Sequence, residues 1–180
     1  MRVSKVQVAE NRRSILEAAA RLFRERGFDG VTVADVMAAA GLTHGGFYRH
    51  FASKDELITR TFDHVLASVA ETAPDTLASY AEAYLTAAHR DDTSGSCLFS
   101  TLGSEAARST AATRQVMTAS IRRQIEQLAP SAPGSTPEEK RRNAIAGWAA
   151  MVGAVMLARI ADDPALSDEL IANTREALLP

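Results

Sequence analysis

The chain has 180 residues, 46% of them hydrophobic, which is enough for a packed core in one large or two small domains. The polar N-terminus lacks the apolar core of a signal peptide, so we expect a cytoplasmic protein, and the single cysteine excludes an intrachain disulfide and a cysteine-based zinc site. The net charge is −2, yet residues 1–60 carry ten Lys and Arg against seven Asp and Glu, while the remainder carries ten against 15. The N-terminal part is therefore the basic one.

The first predicted helix covers residues 8–26. Its apolar residues recur at the spacing of one buried helical face, and Gly27 follows as a stop signal. The buried positions are Ile15, Leu16, Ala19, Leu22 and Phe23. Arg12 and Arg13 lie near the start of this helix, where contact with phosphate and contact with solvent are equally plausible.

Residues 32–54 predict two short helices that are joined at a glycine. Thr32 can cap the first of them, and Asp35 three residues later makes a weaker form of the capping box. Gly41 supplies the left-handed conformation that ends a helix, and Leu42 can fill the angle between the two helices. This arrangement is typical of a helix-turn-helix, which lays its second helix on DNA.

The second helix of the motif is predicted over residues 43–51, with Thr43 as its cap. Phe47 and Phe51 are four residues apart and therefore point together into the core. The outer faces carry His44, Tyr48 and Arg49.

Two glycines and a lysine flank this outer face. Gly45 and Gly46 should each cost about 0.5–1 kcal/mol against alanine, which a helix tolerates better if its backbone must approach a DNA groove. Ser53 and Glu56 form an S-x-x-E capping box for a further helix. Lys54 therefore lies in a first helical turn, where N–H groups and the positive dipole end suit a phosphate.

With these residues, about 9–60 of the chain resembles the N-terminal DNA-binding domain of TetR-type transcriptional regulators. The matching residues are Thr32-Val33, Gly41-Leu42, Thr43-His44-Gly45-Gly46-Phe47-Tyr48-Arg49-His50-Phe51 and Ser53-Lys54-Asp55-Glu56-Leu57. The resemblance implies that Thr32, Tyr48 and Lys54 hold phosphates. It implies that bases or the adjoining backbone are faced by Thr43, His44, Gly45, Gly46, Arg49 and His50.

The rest of the chain predicts further helices. They cover residues 53–71, 74–90, 97–108, 111–129 and 136–161, and a last helix opens at 163–164. Pro74, Pro137 and Pro164 suit first helical turns, and residues 130–135 predict a mobile linker. No stretch shows strand alternation, so the predicted fold is all-α with about nine helices.

Two domains are predicted. Residues 1–52 form the three-helix DNA-binding domain with its helix-turn-helix, and residues 53–180 form a ligand-binding and dimerisation domain. The longest uncharged run, 143–158, is shorter than the roughly 20 apolar residues of a membrane span, so we expect a buried helix and no membrane partner.

The eighth predicted helix is apolar on nearly all sides, so more than one of its faces must be covered. We infer a homodimer in which the last two helices pair with their copies, as the TetR resemblance also implies. Twofold symmetry then sets the two recognition helices about 34–36 Å apart, one turn of DNA. The predicted interface residues are Ala146, Ala150, Gly153, Ala154, Leu166, Leu170, Thr174 and Leu178.

The TetR resemblance also implies a small-molecule pocket among the C-terminal helices. The candidates are Phe62, Leu66, Tyr80, Tyr84, Cys97, Phe99, Met117, Ile121, Trp148 and Met151, for which plain core packing is the alternative. Few charges accompany them, so we expect an uncharged or weakly polar effector and no cofactor or metal. Cys97 is interpreted as a small buried residue, with an oxidant or electrophile sensor as the alternative.

Together these features predict a transcriptional regulator, a repressor that a small apolar ligand releases from a palindromic operator. The ligand would favour a form in which the fourth helix tilts and the two DNA-binding units are wrongly spaced. A ligand-independent dimeric DNA-binding protein and a small all-α enzyme are the alternatives. The enzyme is disfavoured because the four histidines, His44, His50, His64 and His89, are scattered and no H-E-x-x-H, P-loop or G-x-S-x-G motif occurs.

Overall fold

The computed structural model describes residues 4–92 and 94–179, and within them it contains α-helices and two short 3-10 helices but no strand. The predicted all-α class is therefore confirmed. The α-helices are α1 Lys5–Arg26, α2 Val33–Ala39, α3 Lys54–Thr72, α4 Leu77–Tyr84, α5 Ala87–Asp91, α6 Leu98–Arg108, α7 Ala111–Leu128, α8 Pro137–Ile160 and α9 Pro164–Leu178. The 3-10 helices are His44–Arg49 and Ala129–Ser131.

The chain divides into two compact units. Unit 1 consists of Leu102–Met117 together with the described residues of Met1–Ser68, and unit 2 consists of Val69–Thr101 together with those of Thr118–Pro180. Helices α3, α6 and α7 each contribute residues to both units. This division does not follow the predicted boundary after residue 52, which remains a prediction about where one function ends and another begins.

Helix α1 begins three residues before its predicted start. The reason is Ser4, whose hydroxyl accepts a hydrogen bond from the Gln7 N–H at 3.1 Å and caps the helix. Gly27 ends α1 with a φ of 71°, as predicted. The predicted apolar face is buried at every position, namely Ile15, Leu16, Ala19, Leu22 and Phe23.

Helix α2 and the turn after it confirm the local sequence signals. Thr32 and Asp35 form a complete capping box, because the threonine hydroxyl accepts from the Asp35 N–H and the Asp35 carboxylate accepts from the Thr32 N–H. Gly41 has a φ of 70°, and the Leu42 N–H bonds to the Met37 carbonyl, which completes a Schellman turn.

In unit 2 the single helix predicted over 74–90 is wrong. Two helices form instead, because Thr76 caps α4 with a side-chain hydrogen bond and Thr86 caps α5 in the same way. Pro74 lies before the cap of α4 and not in a first helical turn. Leu85 ends α4 with a ψ of 71°, which is outside the helical region.

The mobile linker predicted over 130–135 is also wrong. Ala132 is 3% exposed and belongs to the core of unit 2. The Ser131 hydroxyl accepts from the Leu77 N–H at 2.8 Å, and the Asn143 amide donates to the Pro133 carbonyl at 2.8 Å. The segment therefore packs against α4 and α8, because the Ser131 side chain finds a partner on α4 and the Pro133 carbonyl finds one on α8.

Helices α8 and α9 follow their predicted signals and pack against each other. Thr136 and Glu139 form a capping box with Pro137 at the first position, and Asp163 caps α9. By length and composition α8 would also suit a membrane span, but 39% of its most apolar window is already buried in the protein. The exposed share of α8 includes two large apolar side chains, Leu157 and Ile160.

Candidate nucleic-acid interface

The second helix of the predicted motif is a 3-10 helix and not the α-helix expected over 43–51. Its backbone bonds run from the Gly46 N–H to the Thr43 carbonyl and from the His50 N–H to the Phe47 carbonyl, the i to i+3 spacing. Thr43 precedes the helix but makes no side-chain cap. Gly45 and Gly46 account for the tighter winding, because glycine has little preference for the α-helical conformation.

The nine predicted DNA-binding residues, here called the DNA face, differ in exposure. Thr32, Thr43, His44, Gly45, Tyr48 and Arg49 are exposed, while Gly46, His50 and Lys54 are half-buried. Tyr48 is 72% exposed, and its ring meets the edge of Phe47 at a centroid distance of 5.2 Å. Because Phe47 is 1% exposed, the 3-10 helix is anchored from inside while its outer residues stay accessible.

Arg12 holds the end of the 3-10 helix against α1. Its guanidinium donates to the His50 carbonyl and lies 4.3 Å from the centroid of the Phe51 ring. This contact differs from the two partners predicted for Arg12, phosphate and solvent. Burial first, and then the charges of Arg12 and Arg49, lower the pKa of His50, so this imidazole is neutral at pH 7.

Lys54 is the member of the DNA face whose position differs most from the expectation. Its ammonium donates to the Phe28 carbonyl at 2.5 Å, while the Phe28 N–H donates to the Glu105 carboxylate at 2.6 Å. We call this chain of two bonds, from Glu105 through Phe28 to Lys54, the relay. It connects α6 with the first residue of α3 inside unit 1. The ammonium has three N–H donors, so a phosphate would share Lys54 with the Phe28 carbonyl.

Substituting Glu105 with alanine should lower the free energy of unfolding by about 1–3 kcal/mol, because the half-buried Phe28 N–H loses its charged acceptor. Thermal and urea denaturation followed by circular dichroism would measure the change. Glu82→Ala, on an exposed position of α4, is the control and should shift stability by less than about 0.5 kcal/mol. Equal effects of both substitutions would contradict the relay.

The predicted pocket residues fall into both units. Tyr80, Tyr84, Trp148 and Met151 are buried in the core of unit 2, and Cys97, Phe99 and Ile121 pack partly buried against that core. Phe62, Leu66 and Met117 are buried in unit 1. Cys97 is half-buried and not fully buried as its first interpretation required. That these residues line one ligand pocket remains a prediction.

The predicted dimer residues need one correction. Ala154 is 5% exposed and lies in the core of unit 2, so it faces its own subunit. Leu170 and Leu178 are partly buried against the same core. Ala146, Ala150 and Leu166 are exposed, and Gly153 and Thr174 are half-buried. Leu157 and Ile160 were not among the predicted residues, although they are 55% and 76% exposed.

Comparison with known proteins places the N-terminal part in a family. The model of bacterial regulatory proteins of the tetR family matches residues 15–61, which contain the whole helix-turn-helix. The HTH-type transcriptional repressor KstR2 of Mycobacterium tuberculosis is 46% identical over 52 residues, which cover 29% of this chain and 26% of that protein. The alignment thus spans about a quarter of that curated relative.

Solved structures extend the likeness to the fold of nearly the whole chain. A TetR-family transcriptional regulator from Agrobacterium tumefaciens superposes with a TM-score of 0.75 at 19% identity, covering 96% of this chain and 100% of that one. AibR in complex with isovaleryl coenzyme A and operator DNA superposes with a TM-score of 0.63 at 18% identity, covering 94% and 98%. Residues 15–61 therefore match the tetR family of bacterial regulatory proteins, and nearly the whole chain shares the fold of solved TetR-family regulators.

Proposed function

We propose that the chain is a DNA-binding transcriptional repressor, which binds a roughly palindromic operator as a homodimer and leaves it when a small molecule binds unit 2. The observation that carries this proposal is the exposed 3-10 helix backed by buried phenylalanines, inside the segment that matches the tetR family. An exposed aromatic ring and an arginine on a firmly anchored helix suit a DNA backbone and groove.

Five members of the DNA face divide by chemistry into two groups. Tyr48 and Lys54 carry groups that suit phosphate oxygens, and such contacts are the same for every sequence. Thr43, His44 and Arg49 are exposed at the start and end of the 3-10 helix, where donors and acceptors can meet base edges. We assign base reading to these three residues and backbone positioning to the other two.

The homodimer is supported by an apolar stripe on α8. Its members follow one another at spacings of four and three residues, which is the repeat of helices that pair along a seam. The stripe consists of Ala146, Ala150, Gly153, Leu157 and Ile160. Small residues at its first half allow close approach of a second helix, and large residues at its second half supply apolar area.

The relay supports a route by which α6 can affect DNA binding. Helix α6 has residues in both units, and Glu105 lies in its unit 1 part. A shift of Glu105 would move the Phe28 backbone and change how tightly Lys54 is held. A ligand can use this route only to the extent that it binds one position of α6 better than the other.

Response to a ligand has support from one fold neighbour, since AibR has been solved with both isovaleryl coenzyme A and operator DNA. Two other readings compete with the proposal. A ligand-independent dimeric DNA-binding protein would share the interface and the stripe but show no effector. A small all-α enzyme would need a cluster of catalytic groups, and the relatives named above are regulators.

Selection of bound duplexes from a random pool tests the proposal directly. A roughly palindromic winner supports a twofold regulator, whereas no enrichment over random sequence contradicts it. A thermal-shift screen against apolar small molecules, followed by DNA binding with each hit, then separates a regulated repressor from a ligand-independent protein.

Substitutions within the DNA face should separate its two groups. We expect Tyr48→Ala to weaken binding to selected and random duplexes alike, by about 1–2 kcal/mol, because a phosphate contact holds no base information. His44→Ala and Thr43→Ala should instead change which base is preferred at one position of the site. Competition binding with single-base variants of the selected duplex measures both effects.

Lys54→Ala should also give a uniform loss, but it removes a bond to the Phe28 carbonyl as well. The effect of Lys54→Ala on DNA affinity must therefore be compared with its effect on thermal stability. Uniform loss from Thr43→Ala and His44→Ala together with Tyr48→Ala would contradict the division into two groups.

A further inference from the structure

The core of unit 2 contains two buried polar atoms that the protein itself leaves unsatisfied. The Tyr84 hydroxyl and the Trp148 indole N–H are both shielded from solvent, and neither has a hydrogen-bond partner among the described residues. Both side chains are 7% exposed. Leaving such a group unpaired costs about 1–3 kcal/mol, so two in one core demand an explanation.

Aromatic rings surround the two atoms. The Tyr80 ring stacks on Tyr84 with centroids 5.6 Å apart, and Phe99 meets Trp148 edge-on at 5.0 Å. We call these four residues the aromatic cluster. Phe99 is only partly buried, so the cluster is not closed off from the surface at that residue. Aromatic rings of this kind present apolar faces on which a flat apolar molecule can stack.

Neighbouring polar groups do not satisfy the cluster. Cys97 and Ser100 lie close enough to the Tyr84 hydroxyl to affect its pKa, and Trp148 affects the pKa of Tyr80, but the Tyr84 hydroxyl and the Trp148 N–H gain no well-formed hydrogen bond from these neighbours. Ser100 is already engaged, since its hydroxyl donates to the Cys97 carbonyl at 3.1 Å and accepts from Arg159 at 3.3 Å.

Both unsatisfied groups act as donors. An indole N–H can only donate. Burial first, and then the neighbouring Cys97, raise the pKa of Tyr84 above its ordinary value, so the hydroxyl keeps its proton at physiological pH. An acceptor atom is therefore the one kind of partner that would satisfy either group.

The surroundings also argue against a charged ligand. Burial lowers the pKa of His89, whose ring centroid lies 4.2 Å from that of Tyr84, so this imidazole is neutral at pH 7. The Arg159 guanidinium already donates to the carbonyls of His89 and Arg90 and to two hydroxyls. A buried carboxylate would have to draw the Arg159 guanidinium away from these four partners to be neutralised, so a neutral ligand is favoured.

We propose that the aromatic cluster binds a neutral aromatic molecule with an acceptor oxygen, of the class of aromatic ketones, whose oxygen accepts from the Tyr84 hydroxyl or the Trp148 N–H. The inference rests on the proposed function, because it names the chemical class of the effector. A site with unsatisfied donors discriminates strongly against an analogue that lacks the acceptor.

Matched pairs of ligands test this inference. Acetophenone with ethylbenzene, and benzophenone with diphenylmethane, have similar shapes and differ chiefly in the carbonyl oxygen. We expect calorimetric titration of the full chain to show each ketone binding about tenfold or more tightly than its hydrocarbon. Trp148 is the only tryptophan of the chain, so a change in its emission on binding would locate the ligand at the cluster.

Two variants identify the donors. Tyr84→Phe and Trp148→Phe keep an aromatic ring and remove one donor each. At least one of them should reduce the affinity for the ketone toward that for the hydrocarbon while leaving the hydrocarbon affinity unchanged, which also shows that the variant is folded. If one variant fails to fold, the other variant and the ligand pairs measured on the native chain still test the inference.

Equal affinity of ketone and hydrocarbon in the native chain would overturn the inference, as would the absence of binding by either. DNA selection is measured separately on the same preparation. Enrichment of a palindrome without ketone binding would leave the proposed repressor intact and remove only the ligand class, whereas failure of both would remove the repressor as well.

Discussion

Replacing Gly45 with alanine should weaken DNA binding by about tenfold or more, without lowering the stability of the protein. A Cβ built on Gly45 meets no protein atom within 4 Å, and the backbone there is not in the left-handed region. Alanine should therefore be neutral for folding or stabilise the helix by up to about 0.5–1 kcal/mol. The added methyl projects from the exposed DNA face, where a groove wall would meet it.

Gly103→Ala is the matched control for this substitution. Gly103 also has open space at its Cβ position, also lies in a helix and also belongs to unit 1, but it is on α6. Both variants should melt at or above the native temperature, and only Gly45→Ala should lose affinity in a titration of the selected duplex. Unchanged affinity of Gly45→Ala would mean that the backbone of the 3-10 helix does not approach DNA.

Local signals predicted the helix-turn-helix well. The capping box of Thr32 and Asp35, the glycine turn at Gly41 and the buried phenylalanines all depend on residues that are close in sequence, and each was confirmed. Such features follow from backbone hydrogen bonding and from helical spacing alone. They fix which residues of the motif face outward.

Contacts between distant residues could not be predicted in the same way. The Phe28 N–H and the Glu105 carboxylate are 77 positions apart, and Arg12 lies 38 positions from the His50 carbonyl it binds. No spacing rule links such pairs, because tertiary packing brings them together. Helical periodicity could not predict whether residues 43–51 form a 3-10 helix or an α-helix, because both forms satisfy the observed spacing over so few residues.

Helix α8 shows a different limit. Periodicity identifies a buried face only when the other face is polar, and α8 is apolar on nearly all sides. Ala154 was therefore assigned to the dimer interface although it lies in the core, while Leu157 and Ile160 were missed although they are exposed. The exposed fractions of the α8 side chains distinguish the buried face from the outer face. They show that the stripe from Ala146 to Ile160 is not covered by its own subunit.

Leu157→Glu should convert the protein to a monomer and reduce its affinity for the palindromic duplex by about a hundredfold or more. At a twofold interface the substitution brings two carboxylates into an apolar seam, and each buried unpaired charge costs several kcal/mol. Loss of the second subunit then removes the gain from binding two half-sites at once, which is commonly about 10²–10⁴-fold. Sedimentation at micromolar concentration and DNA titration measure the two effects.

The fold of the single subunit should survive this change, because the Leu157 side chain is 55% exposed and glutamate is a good helix former. Val69→Glu makes the same kind of change at an apolar residue of α3 that is 45% exposed and lies outside the stripe. We expect Val69→Glu to stay dimeric and to bind the duplex normally. A dimeric Leu157→Glu variant would place the subunit contact on another surface. That surface would then have to set the distance between the two copies of the 3-10 helix His44–Arg49, one in each subunit.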